Sequence, residues 1–186
     1  MEKIRCDWAN GTELEEKYHD EEWGTAEHEE QKLFEMLTLE SMQAGLSWST
    51  ILKKRETLTS AYDQFDYVKI AEYTQEKIDA LLVDPGIIRN KLKINATINN
   101  AQAFMKIQAE YGSFDRFIWA YVDREPIKNR WNNIKEVPSS TELSDKISKD
   151  LKKKGFKFLG TTTVYAFMQA TGMVDDHLAH CFKALK

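Results

Sequence analysis

The segment DDHLAHC, residues 175–181, places a histidine and a cysteine four positions apart near the end of the chain. Four residues complete about one helical turn, so this spacing predicts that His177 and Cys181 lie on the same face of a helix. Imidazole nitrogen and thiolate sulfur are both zinc ligands, and two of each make a tetrahedral site. The pair therefore provides half of a possible zinc site. The other residues of suitable chemistry are Cys6, His19, His28 and His180.

A second candidate is the stretch LLVDPGIIR, residues 81–89, which is followed by Lys91 and Lys93. An apolar helix end, a Pro-Gly turn and a new helix beginning at Ile87 and Ile88 are typical of a helix-hairpin-helix element. Free amides at the start of the second helix would face a phosphate, and the neighbouring bases would add positive charge. Pro-Gly turns also end many ordinary helices, so the pattern alone leaves DNA binding as one of two interpretations.

A third candidate is Glu40, an acidic residue at the end of the apolar run Leu33–Leu39 and just before a turn that contains Gly45. A carboxylate held there would be partly buried, which costs free energy unless the group is paired or used. The alternative is a glutamate at a helix end that faces water. Four aromatic residues could offer flat surfaces to a ligand or could pack in the core, namely Trp8, Tyr18, Trp23 and Trp48.

Helices must position these groups, because apolar residues recur at three-to-four spacing along most of the chain. Thr141 predicts a capped helix start, with the helix running to Lys154 and stopping at Gly155. A further helix is predicted from about Thr161 to Thr171. No segment shows the period-two pattern of a strand, and residues 123–137 are expected to form a connecting loop. The fold class is all-α, in one domain over residues 1–186 that could divide into two helical lobes.

Composition indicates a globular cytoplasmic protein without a membrane span, since no apolar run approaches the ~18 residues that a span needs. The N-terminus lacks the apolar stretch of a signal peptide, and two cysteines in a reducing compartment favour free thiols or metal ligands. The net charge is −4, yet residues 146–157 hold six bases and one acid. Such asymmetry is compatible with a basic face for phosphates, or with ordinary solvated helix surfaces.

These residues converge on a known family when they are taken as motifs in chain order. The motifs are Cys6-x-Trp8, Tyr18-His19-Asp20-x-x-Trp23-Gly24, Leu39-Glu40-x-x-Gln43-Ala44-Gly45-Leu46-Ser47-Trp48, Gly86-Ile87-Ile88-Arg89, Gly155-Phe156-Lys157-Phe158-Leu159-Gly160-Thr161-Thr162 and Asp176-His177-x-x-x-Cys181. Together they closely resemble bacterial 3-methyladenine DNA glycosylase I of the constitutive type. The resemblance covers nearly the whole chain, from Cys6 to Cys181.

The resemblance implies a helix-hairpin-helix glycosylase fold in which one zinc ion joins the two chain ends. Transferred position by position, its ligands are Cys6, His19, His177 and Cys181. Four protein ligands leave no open position, so the Zn²⁺ is expected to be structural. His180 has no counterpart among the family's ligands. The hairpin is expected around residues 78–105.

The resemblance also implies a lesion pocket with Glu40 as the catalytic residue and Tyr18, Trp48, Trp23 and Trp8 around the base. The expected reaction is hydrolysis of the N-glycosidic bond of 3-methyladenine in alkylated duplex DNA, which releases the free base. N3-methylation makes the base cationic in the nucleotide, so an electron-rich pocket suits it and strong protonation of the leaving group is unnecessary. The expected DNA contacts are Gly45, Leu46, Gly86, Ile88, Arg89, Lys91 and Lys93.

Some positions depart from the family pattern. Position 41 is Ser where Gly is frequent, Leu92 stands where a small or basic residue is expected, and Glu15 replaces an aromatic residue of some members. No lysine is identifiable as a Schiff-base nucleophile, which predicts a monofunctional enzyme without lyase activity. The enzyme is expected to be a monomer. The alternatives are a zinc-stapled binder of damaged DNA with weak catalysis, and a zinc hydrolase. The latter would need an open metal position and a nearby general base.

Overall fold

The computed structural model describes residues 2–185, which form nine α-helices, four 3₁₀ helices and two very short strands. The helices are α1 (Glu13–Glu21), α2 (Glu30–Met42), α3 (Trp48–Ala61), α4 (Tyr67–Ala71), α5 (Gln75–Leu82), α6 (Lys91–Tyr111), α7 (Phe114–Trp119), α8 (Glu142–Lys153) and α9 (Thr161–Ala170). The 3₁₀ helices are Asp7–Asn10, Asp63–Phe65, Ala120–Val122 and Ile134–Glu136. The all-α prediction is confirmed.

Side-chain caps determine where several helices begin. The side chains of Ser47, Asn90 and Thr141 each accept a hydrogen bond from an amide in the first turn of α3, α6 and α8. Such caps replace a hydrogen bond that the helix itself cannot make. The predicted start at Thr141 is confirmed, and α8 gives way at Lys154 to Gly155, which has a φ of +93°. Glycine adopts this left-handed conformation without steric cost.

Helix α2 lies at the centre of the molecule. Every residue from Leu33 to Met42 is buried, and α2 packs against α3, α6, α7 and α9. Phe34 of α2 meets the ring of Phe104 of α6 edge to face, with centroids 5.4 Å apart. A helix that is buried on all sides over such a span is a core helix. Its C-terminal end therefore brings Glu40 into the interior of the protein.

The chain after α9 differs from the prediction. Residues Val174–Asp175 form a strand, β2, that pairs in parallel with β1 at Ile127–Lys128. A pair of two-residue strands is too short to leave a period-two pattern in the sequence. The prediction that His177 and Cys181 share a helix face is wrong, because residues 177–181 are not helical. The segment turns instead, with the amide of Cys181 donating to the carbonyl of Leu178 at 2.8 Å.

The Pro-Gly turn does join two helices, α5 and α6, which pack against each other. The second helix begins at Lys91 and not at Ile87, so that part of the prediction is wrong. Asn90 caps α6, and Ile87 is buried in the core in a non-helical conformation. No helix within residues 2–185 is both long enough and apolar enough to cross a membrane.

Gly172, just after α9, provides a test of how tightly the end of this helix packs against residues 25–26. It has a φ of +74°, and a Cβ atom there would lie 2.5 Å from the carbonyl carbon of Thr25 and 2.6 Å from the amide of Ala26. Gly155 has a φ of +93° but nothing within 4 Å of its Cβ position. We expect Gly155→Ala to cost about 1–2 kcal/mol from left-handed strain alone. Gly172→Ala should cost roughly 1–3 kcal/mol more, because backbone atoms must move.

The measurement is the free energy of unfolding of both variants in urea. Equal losses in the two variants would show that the contact between Gly172 and residues 25–26 is not tight.

Candidate metal cluster and aromatic pocket

Three of the predicted metal ligands meet where the two ends of the chain pack together. The ligand atoms of Cys6, His19 and Cys181 all lie within 4.8 Å of one another, and all three residues are buried. The Sγ atom of Cys181 is 3.4 Å from Nε2 of His19. This group could hold a metal ion.

The fourth predicted ligand, His177, lies beside this group. Its ring meets the ring of His19 edge to face, with centroids 5.2 Å apart. Its Nε2 atom is buried and has no hydrogen-bond partner among residues 2–185. A buried polar atom without a partner is costly, so a ligand for Nε2 is the expected remedy. His177 thus fits the site, although it stands outside the group of three.

A carboxylate orients each of the two histidines. Nδ1 of His19 lies 2.9 Å from Asp20, and Nδ1 of His177 lies 2.6 Å from Asp175. When Nδ1–H donates to a carboxylate, Nε2 is left as the lone-pair donor, which is the usual second contact of a metal-binding histidine. The signal was present in the sequence, since each acid stands within two residues of its histidine.

The donor set fits a soft or borderline divalent cation. Two thiols and two imidazoles are the ligands of structural zinc sites. Burial raises the pKa of the Cys6 thiol to about 12. The thiolate form therefore needs a neighbouring positive charge, and a bound divalent cation would supply it.

The two remaining histidines lie elsewhere. His180 is exposed and its Nε2 is 3.3 Å from Asp7. His28 lies 2.7 Å from Asp115 and packs on the ring of Trp119. Neither belongs to the metal-ligand group found among the described residues.

A cavity of about 390 Å³ opens next to this cluster and has aromatic walls. All four predicted aromatic residues line it, namely Trp8, Tyr18, Trp23 and Trp48. The rings of Tyr18 and Trp48 are 5.3 Å apart at 49°, and those of Trp8 and Trp23 are 5.1 Å apart at 70°. Within residues 2–185, the buried Tyr18 hydroxyl and Trp48 Nε1 have no hydrogen-bond partner. The pocket therefore presents flat rings and two unused polar atoms to a ligand.

Glu40 also lines this cavity and is only 5% exposed. Its carboxylate has no hydrogen bond or ion pair with any side chain or amide of residues 2–185, and burial raises its pKa to about 8. The nearby buried Glu35 differs, because it pairs with Arg55 at 3.0 Å and Lys32 at 3.3 Å. The interpretation of Glu40 as a helix-end residue facing water is wrong. Its uncompensated burial marks it as a group that awaits a donor or a cation.

Sequence reasoning did not identify Asp176 and Gln169, which line the same cavity. Asp176 is buried and accepts hydrogen bonds of 2.9 Å from Asn129, Trp131 and Gln169. The Tyr165 hydroxyl donates to it as well. Asp176 thereby fastens the irregular segment 123–137 to α9 behind the pocket. The sequence contains two adjacent acids at 175–176, and nothing local tells which of them turns inward.

The pocket continues toward the turn between α2 and α3. A neighbouring cavity of about 330 Å³ shares Glu40 and Gln43 with it and is bordered by Gly45, Leu46 and the first turn of α9. Gly45 has a φ of +79° with nothing within 4 Å of its Cβ position, and Leu46 is 38% exposed. The predicted Gly45–Leu46 pair is therefore an exposed turn beside the pocket.

Some of the residues predicted to contact DNA through the hairpin are exposed, and others are buried or already hydrogen-bonded. Arg89 and Lys91 are exposed, and the amides of Ile87, Ile88 and Arg89 donate no hydrogen bond within residues 2–185. The amide of Gly86 is occupied by the Asp84 side chain at 2.8 Å.

Lys93 differs from these residues, because it is buried and its Nζ donates to the carbonyls of Met42 and Ala44. Its expected position as an exposed phosphate contact is not what the structure shows. Its contacts with the backbone at and just after the end of α2, about fifty positions away in the chain, draw it inward.

Comparisons with known proteins match this arrangement. Residues 8–184 match the family model described as methyladenine glycosylase. The chain is 47% identical to DNA-3-methyladenine glycosylase 1 of Escherichia coli (strain K12), over 95% of each chain. The crystal structure of a 3-methyladenine DNA glycosylase I superposes with a TM-score of 0.93 at 47% identity, covering 96% of this chain and 98% of that one.

A further solved structure is a 3-methyladenine DNA glycosylase I variant in complex with 3-methyladenine. It superposes with a TM-score of 0.93 at 38% identity, covering 96% of each chain.

The burial of Glu40 predicts a specific dependence of stability on pH. Its pKa is about 8 in the folded protein against an ordinary value of 4.5, so between these values the folded state holds the extra proton. The stability relative to Glu40→Gln is therefore full below about pH 4.5 and is lost as the pH rises to 8. We expect Glu40→Gln to gain stability over the parent by up to roughly 1 kcal/mol per pH unit in this window.

The measurement is the difference in melting temperature between parent and variant from pH 5 to pH 8. Glu56→Gln, at an exposed position on α3, is the matched control and should show no trend. A constant difference for Glu40→Gln would mean that Glu40 is ionised throughout.

Proposed function

The chain belongs to the methyladenine glycosylase family, and we propose that it excises 3-methyladenine from alkylated duplex DNA through the aromatic pocket beside Glu40. It is a monofunctional DNA repair glycosylase that hydrolyses an N-glycosyl bond. The observation that supports the role of the pocket is the buried, unpaired carboxylate of Glu40 among four aromatic residues. No lysine lines the pocket within the described residues, in keeping with hydrolysis by water.

The pocket suits a flipped, cationic base. A planar purine fits between indole and phenol rings, and its positive charge is attracted to their faces and to the nearby carboxylate. The exocyclic amino group of the base would donate to Glu40, and a ring nitrogen would meet the Tyr18 hydroxyl. Both protein atoms lack other partners among residues 2–185, so binding the base removes an existing cost.

Bond cleavage then follows from the chemistry of the methylated base. Its glycosidic bond is weak because the base leaves as a neutral molecule. The anionic form of Glu40 favours the oxocarbenium-like transition state electrostatically. Pairing with a cationic base lowers the pKa of Glu40 from its raised value, so the ligand itself promotes the ionised form. Water adds to the sugar, and an abasic site remains.

The DNA would run across the hairpin and the turn between α2 and α3. The free amides of Ile87 to Arg89 and the side chains of Arg89 and Lys91 form a phosphate site of the helix-hairpin-helix kind. The exposed Leu46 would fill the space left by the flipped nucleotide, and the cavity beside it leads to Glu40. The protein acts as a monomer in the cytoplasm.

The metal cluster would hold one structural zinc ion through Cys6, His19, His177 and Cys181. The buried Nε2 of His177 without a partner and the four soft or borderline donors support this proposal. The ion would close the two chain ends against each other and so support Trp8 and Trp23, which lie on the ring of His19.

Metal content provides one test. We expect one zinc ion per chain by elemental analysis, and Cys181→Ser should lower both the metal content and the melting temperature, by more than about 5 °C. His180→Ala removes a histidine three positions from His177 that points to Asp7, so it should change neither quantity. A metal-free protein that melts with the parent would contradict the structural role.

Base excision provides the direct test of function. Methylated duplex DNA should release free 3-methyladenine, resolved by chromatography, and free 3-methyladenine should quench tryptophan fluorescence. Glu40→Gln keeps the size but removes the charge, and loss of a charge-assisted hydrogen bond should slow excision about 10- to 150-fold. Trp48→Ala should weaken base binding by roughly 1–3 kcal/mol, the scale of base stacking.

Glu56→Gln again serves as the control for charge and should excise at the parental rate. If Glu40→Gln also does so while melting normally, the mechanism is wrong even though the family stands.

A further inference from the structure

Lys93 connects the start of α6 with the end of α2. Its Nζ donates to the carbonyl oxygen of Met42 at 2.8 Å and to that of Ala44 at 2.7 Å. The residue is 8% exposed, and burial lowers the pKa of its ammonium group. Lysine is almost never this buried unless it is partnered. The two contacts therefore indicate that Lys93 has a structural role, which is to join α6 to the backbone at the end of α2.

The carbonyl of Met42 belongs to the last residue of α2, and that of Ala44 lies in the turn just after the helix. The last carbonyls of a helix have no partner within the helix and bear partial negative charge, so a cation there is stabilising. The last turn of α2 contains no basic residue of its own. Lys93, from the first turn of α6, supplies the missing cation.

This end of α2 combines two parts of the proposed machinery. Glu40 lies two residues before Met42, and the exposed turn with Gly45 and Leu46 directly follows Ala44. The turn has its own backbone hydrogen bond, from the amide of Leu46 to the carbonyl of Gln43 at 2.7 Å. The ammonium group thus binds the backbone between Glu40, which lines the pocket, and Leu46, which is proposed to enter DNA.

The hairpin before α6 is held from the other side by α3. Lys54 Nζ donates to the carbonyl of Pro85 at 3.3 Å, and the Thr57 hydroxyl donates to the carbonyl of Gly86. The amide of Gly86 is occupied by Asp84, whereas the amides of Ile87, Ile88 and Arg89 donate no hydrogen bond within residues 2–185 and are available for phosphate. Polar contacts therefore join the hairpin to α3 and to the end of α2. Lys93 makes the contact with α2, the helix that contains Glu40.

We propose that Lys93 is a positioning residue. It holds the DNA-binding hairpin in a fixed position relative to the Gly45–Leu46 turn and Glu40, so that a phosphate bound at the hairpin places the flipped base correctly in the pocket. The inference rests on the proposed function.

Two other roles for Lys93 fit the contacts less well. A phosphate ligand needs an exposed ammonium group, as Lys91 has, whereas Lys93 directs its protons to backbone carbonyls. A Schiff-base nucleophile needs a free amine facing the sugar, and Lys93 does not line the pocket that contains Glu40.

The test uses three methionine variants on α6 in the whole protein. Lys93→Met keeps the chain length and removes the ammonium group. Lys91→Met removes an exposed cation beside the hairpin. Lys106→Met removes an exposed cation on the same helix, outside the proposed machinery. The readouts are the single-turnover excision rate at saturating DNA, the salt dependence of DNA binding, and the affinity for free 3-methyladenine by tryptophan fluorescence.

Lys93→Met should slow single-turnover excision on the order of 100-fold, since a displacement of about 1 Å is enough to do so. Its affinity for the free base should fall by much less than its excision rate, because Lys93 donates to backbone carbonyls near Glu40 and not to the aromatic residues that would stack on the base. Its salt slope should stay parental, whereas Lys91→Met should lower the slope by about one unit. Lys106→Met should match the parent throughout.

Parental excision by Lys93→Met would overturn the proposal, as would a salt slope reduced by one unit, which would make Lys93 a phosphate ligand. A parallel loss of excision and free-base affinity would also overturn it, because that pattern reports general loosening of the fold. If Lys93→Met fails to fold, Lys93→Gln keeps a neutral donor and is held to the same criteria. A parent that releases no 3-methyladenine would instead refute the proposed function.

Discussion

The burial of α2 on every side is the constraint on which the arrangement of the site depends. A helix enclosed from Leu33 to Met42 must end inside the protein, and an interior helix end has unsatisfied carbonyls and whatever polar side chain lies near it. Here the side chain is Glu40, and Lys93 donates to the carbonyl of Met42 at the helix end and to that of Ala44 just after it. The backbone carbonyls thus have a cationic partner, whereas the carboxylate of Glu40 has none among residues 2–185. The pocket therefore contains one buried acidic group that a cationic ligand could pair.

The aromatic walls add to the preference of the pocket for a cationic ligand. The faces of the rings attract a cation, whereas a neutral ligand gains little from these faces beyond stacking. The aromatic walls come from residues 8–48. Trp8 packs on His19 and Trp23 packs on His177, beside the candidate metal cluster. The metal cluster and the pocket are therefore one packing unit. A change in either should be felt by the other through His19 and His177.

Much of this could be predicted from local patterns. The capped start of α8 at Thr141 and the helical periodicity follow from short stretches of sequence. The grouping of Glu40 with aromatic residues is implied by the family resemblance. The parts that could not be predicted depend on distant partners. Lys93 resembles a surface cation until its partners some fifty positions away are known, and β1 and β2 are too short to announce themselves. The turn at 177–181 bends toward Cys6, and that contact overrides the helical spacing.

The pocket wall formed by both chain ends has a consequence for biosynthesis. Glu40, Tyr18 and Trp48 are translated well before Asp176 and Leu178, which line the same cavity. A nascent chain can therefore form the hairpin before this cavity has all of its walls. The cavity is completed only when the segment with Asp176 and Leu178 docks on Cys6, where the amide of Leu178 donates to the Cys6 sulfur at 3.3 Å. Docking of this segment is therefore the step that completes the proposed pocket.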